Sequence, residues 1–111
     1  MSVVDRDTVD GMALDEGGQI LRLLIIDHLG WGGLQGEYKH LVALQEKINA
    51  YIAFCEERQY QQILQNSSSI KYAVIEIHFA HEPTKKAMQF LKQVQKQLNE
   101  LGMTIECHIA G

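Results

Sequence analysis

The residues best equipped for chemistry in this chain are histidines and glutamates at short, repeated spacings. Glu76 and His78 stand two apart, and so do Glu106 and His108. Strand side chains alternate between faces, so each Glu-x-His pair would put a carboxylate and an imidazole on one side of a sheet. If the two strands are neighbours, four ligand-capable groups meet. Imidazole with carboxylate suits zinc or another divalent metal. A histidine also suits proton transfer near neutral pH. Strand register decides whether the groups converge, and the sequence does not supply it. The same residue types are ordinary on a strand face turned to water or to another protein. That is the expected use here, with no bound metal and no cofactor.

A second group is the run Asp27-His28-Leu29-Gly30-Trp31-Gly32-Gly33, which follows one apolar segment and precedes a helical one. A helix N-terminus there could hold an anion. A phosphate loop needs a Gly-Lys-Ser/Thr ending, whereas Gly36 is followed by Glu37. The run is therefore expected to turn the backbone, with Trp31 closing one end of the core. Asp27, His28 and Trp31 remain candidates for a binding loop. Nucleophilic catalysis finds no support. Ser2, Ser67, Ser68 and Ser69 are the serines, and none lies in a Gly-x-Ser-x-Gly elbow. No His-Glu-x-x-His zinc helix occurs. Cys55 and Cys107 both fall on apolar stripes and are expected to be buried, reduced thiols. The expectation is a protein that is not an enzyme.

The elements that must position these groups follow from hydrophobic period. Thr8–Leu14 and Gln19–Asp27 flank the turn signal Asp15-Glu16-Gly17-Gly18, which predicts a β-hairpin. From Glu37 onward, Leu41, Leu44, Ile48, Tyr51, Ile52 and Cys55 recur at helical steps. Lys39, Gln45, Glu46, Lys47 and Asn49 are assigned to the other faces of that helix. Gln59–Leu64 is expected to add a turn or two before Asn66 and the serines end it. Lys71–Phe79 alternates, with Ala73, Ile75, Ile77 and Phe79 inward and Tyr72, Val74, Glu76 and His78 outward. A second helix starts around Glu82-Pro83, with Pro in its first turn. Its stripe is Ala87, Phe90, Leu91, Val94, Leu98 and Leu101, and Gly102 ends it in the left-handed conformation. Met103–Ile109 alternates again, with Met103, Ile105, Cys107 and Ile109 inward.

The order β-β-α-β-α-β, with two amphipathic helices and a polar alternate face on the last strands, predicts an α+β fold. It is a two-layer α/β sandwich with both helices on one face of a four-stranded sheet. A chain of 111 residues has room for one such domain. Several stretches also act together. They are Val9–Asp15, Asp27-His28-Leu29-Gly30-Trp31, Leu44–Phe54 and Glu82-Pro83-Thr84. In combination they resemble a family of small bacterial proteins of unknown function, with a D-H-L-x-W element and an L-Q-E-K-x-N-x-Y helix. The resemblance covers nearly the whole chain. It implies a single small bacterial domain and assigns no catalytic residue.

Charge bears on partners. The chain carries 14 acids and 10 bases, for a formal charge of −4. Residues 1–57 hold ten acids and four bases, and residues 58–111 hold four acids and six bases, a split of −6 and +2. Nucleic-acid binding draws on a basic excess, which is missing overall. The lysines Lys85, Lys86, Lys92 and Lys96 come without interleaved aromatic residues or arginine. The apolar run Leu23–Ile26 is far too short to span a bilayer. No basic region followed by an apolar stretch opens the chain, so a cytoplasmic location is expected. These features point to a non-enzymatic protein-binding domain with a basic partner. The most concrete form is an immunity protein neutralising a bacterial toxin domain such as a secreted nuclease. The expected contacts are Asp15, Glu16, Glu37, Glu46, Glu56 and Glu57, together with Tyr72, Glu76, His78, Glu106 and His108. A homodimer through the open sheet face or an edge strand is compatible with the pattern. The alternative is a metal- or small-ligand-binding domain using the Glu-x-His pairs or the glycine-rich loop.

Overall fold

The computed structural model describes residues 3, 9–15, 17–58 and 70–110. Six elements follow in the expected order: β1 (Gly11–Leu14), β2 (Ile20–Asp27), α1 (Leu34–Glu56), β3 (Tyr72–Phe79), α2 (Lys85–Asn99) and β4 (Met103–Ile109). The four strands lie in one sheet in the order β1-β2-β3-β4. β1 and β2 are the antiparallel hairpin, while β3 runs parallel to β2 and β4 parallel to β3. Each parallel step needs a crossover, and an amphipathic helix supplies it. The fold class is α+β, as the sequence order implied.

Asp15 closes the hairpin. Its Oδ1 accepts the backbone N–H of Gln19 at 2.9 Å and of Ile20 at 3.0 Å, while Gly18 takes φ +68° to complete the turn. The Ile20 N–H first, with Gln19, Gly17 and Gly18 adding to it, holds the Asp15 carboxyl below its ordinary value against the opposing effect of desolvation. On the covered face of the sheet, Leu21, Leu23, Ile25, Ala73, Ile75, Ile77, Phe79 and Met103 meet Leu44, Ile48, Tyr51 and Phe54 of α1 and Leu91 and Leu98 of α2 in one core. Thr84 caps α2 by accepting the Ala87 N–H at 3.1 Å, and Gly102 turns back into β4 at φ +69°.

Five details differ from the sequence reading. Pro83 precedes the cap instead of occupying the first helical turn, because Thr84 offers the hydroxyl that the helix end requires. α1 begins three residues early, at Leu34. Leu101 lies in the turn after α2 and is 47% exposed. Cys107 and Ile109 stand on the inward side, in register with Ile77 and Phe79, but are exposed rather than buried. Among the described residues β4 is an edge strand with no neighbour beyond it, so its last residues receive less cover than their period suggests. The largest difference is Lys47, assigned to a wet face but fully buried. The expected extension over Gln59–Leu64 and the serines at 67–69 lie outside the described residues.

Candidate functional site on the open sheet face

Among the described residues, no helix covers the other side of the sheet. In-register pairing sets Leu24, Glu76 and Glu106 in one row across β2, β3 and β4, with Ile26, His78 and His108 in the next row. Arg22 stands one step earlier, opposite Val74 and Thr104. The two Glu-x-His pairs therefore meet side by side. The Arg22 Nη1 donates to Oε1 of Glu76 and, at 3.3 Å, to Oε2 of Glu106. Glu76 Oε2 faces His78 Nε2 at 3.5 Å, and Glu106 Oε1 lies 3.0 Å from His108 Nε2. The two imidazoles stack with centroids 4.7 Å apart and planes 15° from parallel. His108 first, then Arg22, holds the Glu106 carboxyl below its ordinary range, and both carboxylates raise the Arg22 guanidinium.

Around this charged array lie the half-buried Ile20, Leu24 and Val74 and the exposed Ile26 and Tyr72. At the carboxyl ends of the three parallel strands a cleft of about 320 Å³ opens between Ile26, His28, His78, Phe79, His108 and Ile109. Carboxyl ends of parallel strands are where open α/β sheets place ligands. A smaller cavity of about 160 Å³ at the opposite end is lined by Leu21, Cys55, Tyr72 and Met103. Burial pushes the Cys55 thiol up to about 11, with Glu56 adding to it, so the thiol is unreactive near neutral pH.

The structure sorts the expected site residues into different places. Tyr72, Glu76, His78, Glu106 and His108 share the open face. Glu37, Glu46, Glu56 and Glu57 lie on or just after α1, in the layer across the sheet from that face. Glu37 sits in the first turn, where a carboxylate favours the helix dipole. Asp15 is engaged in its turn, and Glu16 lies outside the described residues. The loop candidates divide as well. His28 is exposed at the cleft. Asp27 is fully buried, with its carboxylate on His40 Nε2 (2.7 Å from Oδ1) and Oδ1 accepting Leu29 N–H at 3.1 Å. His40 Nδ1 meets the Gly30 carbonyl at 3.1 Å, so both ring nitrogens face oxygen. Trp31 stacks on the His40 ring at 3.5 Å, and its Nε1–H donates to the His81 carbonyl. Trp31 thus closes the core end as expected, on a histidine that the sequence reading did not single out.

A second buried group was likewise missed. Lys47 Nζ lies 3.0 Å from Asp10 Oδ1, and both side chains are fully buried. Asp10 Oδ2 accepts Ile26 N–H at 2.8 Å, and Asp10 N–H donates to the Tyr51 hydroxyl at 2.9 Å. That hydroxyl donates onward to the Leu24 carbonyl. Burial raises the Tyr51 hydroxyl well above its ordinary value, so it stays protonated and able to donate. Helical spacing carried the signal for both groups. His40, Leu44, Lys47 and Tyr51 follow one another at steps of four, three and four, on the stripe that includes Ile48.

The model of a family of unknown function, DUF6572, matches residues 1–111. The chain belongs to that family. Comparison with curated proteins and with solved structures gives no match. Among the described residues of this DUF6572 chain, no helix is long and apolar enough to cross a membrane.

Proposed function

We propose that this DUF6572 protein is a non-enzymatic binding domain that docks a basic protein on its open sheet face. The observation that carries this reading is the uncovered face itself. Apolar Ile26 and Tyr72 stand exposed beside an ordered array in which two carboxylates outnumber one guanidinium. Aromatic and arginine anchors beside oriented charge are the composition of protein interfaces. The partner is a bacterial toxin domain, such as a basic nuclease, and the protein acts as its cytoplasmic immunity protein. An acidic face would speed encounter with such a partner, which neutralisation requires. The acids of α1 add to the long-range field rather than to the contact.

The reading is tested by co-expression with a bacterial toxin domain of basic charge, such as one encoded by a neighbouring gene. Stable co-purification of the two chains and restored growth are expected. Continued toxicity, with no complex at micromolar concentrations, would end this reading.

A further inference from the structure

We propose that Glu76, His78 and His108 form a binding site for one divalent transition-metal ion, zinc being the best fit. The site lies on the same open face as the proposed docking surface, but metal binding there requires no protein partner. One ligand atom from each of the three residues lies within 4.8 Å of the other two. Zinc holds nitrogen and oxygen ligands at about 2.0–2.2 Å, which places the ligand atoms about 3.3 Å from one another. The present spacing thus closes onto an ion by small side-chain rotations. Those rotations are open to groups whose side chains are 48% (His78), 46% (His108) and 23% (Glu76) exposed. The backbone need not move, because parallel register already sets His78 directly beside His108.

The surroundings supply what three bare ligands lack. Glu76 divides its oxygens: Oε1 takes Arg22, and Oε2 is left facing His78. Arg22 therefore fixes the carboxylate in place. Glu106 hydrogen-bonds one ring nitrogen of His108 and is itself held by Arg22. A carboxylate behind a ligating histidine orients the ring and raises its basicity. Two carboxylates against one guanidinium leave the cluster negative, which favours a dication. Two imidazoles and one carboxylate are a donor set that suits zinc and leaves coordination positions open. His78 and His108 also line the cleft at the strand ends, so a small ligand there would reach the ion.

The test is calorimetric titration of the full chain, free of any histidine tag and stripped of metal, with zinc chloride. Cobalt(II) absorbance serves as a second readout of nitrogen and oxygen coordination. One ion per chain is expected. His78→Ala and His108→Ala should each weaken binding at least about 10-fold. His81→Ala, outside the cluster, should leave it unchanged. No binding, or binding that both variants retain in full, overturns the proposal. Should either variant fail to fold by circular dichroism, zinc titration of the wild-type chain followed by histidine ring NMR decides instead. Shifts at His78 and His108 support the site, and shifts confined to other histidines refute it.

Discussion

Lys47 is the residue whose environment departs furthest from its type. A buried ammonium is tolerated because the Asp10 carboxylate meets it at 3.0 Å and because that carboxylate is itself bonded to Ile26 N–H. Removing either member takes the opposing charge away from a buried ion, at a cost of about 3–5 kcal/mol. Lys47→Met and Asp10→Asn should therefore each lower the urea midpoint strongly, while the double variant should recover a large part of the loss. Additive losses in a double-mutant cycle would show that the two groups do not act as a pair. Glu106 gives a pH signature. Its folded value lies below the ordinary 4.5, so its contribution is present above that pH and is lost as pH falls through the folded value. Glu106→Gln should flatten the acid limb of stability below about pH 4.5, read by denaturant titration at several pH values. An unchanged acid limb would remove Glu106 from the array.

At the scale of elements, period alone specified most of what formed. The alternation in Lys71–Phe79 and Met103–Ile109 and the stripe in residues 41–55 became β3, β4 and α1, because burial of one face drives each. Edges and caps were less legible. Cys107 keeps the period of an inward residue yet is exposed, since period reports facing and not whether anything lies opposite. The Glu-x-His pairs could be seen in sequence, but their meeting could not, because register between strands separated by a helix is a tertiary fact. Lys47 and His40 were hidden for another reason: a polar side chain on an apolar stripe is buried only if a distant carboxylate meets it. Gln95 shows the same dependence. Its side chain accepts Ile105 N–H at 2.7 Å and donates to the Met103 carbonyl at 3.2 Å, covering part of the β4 edge against pairing with another chain. Thr84 offers an element-scale test. Thr84→Ala removes the α2 cap and should cost about 1 kcal/mol in denaturant unfolding. A neutral result would mean that packing of Leu91 and Leu98 alone holds the helix start.

For the whole molecule, the burial of Asp10 and Asp27 changes the meaning of the charge split. Two of the ten front-half acids lie in the interior against Lys47 and His40, and Asp15 is engaged in a turn. Lys47 is buried with them, so the front half outside the interior keeps eight acids and three bases, a balance of −5, and the hydrogen-bonded charge array lies on the sheet. A partner recognised by this protein should therefore distinguish the two layers. The most direct measurement is isothermal calorimetry of the basic toxin domain proposed as partner against the wild-type chain, Tyr72→Ala, Glu106→Arg and the α1 variant Glu56→Arg. Tyr72→Ala and Glu106→Arg should each weaken binding at least about 10-fold, as expected for interface anchors, while Glu56→Arg changes affinity only slightly. Full affinity in both sheet variants, or loss confined to Glu56→Arg, would contradict docking on the open sheet face.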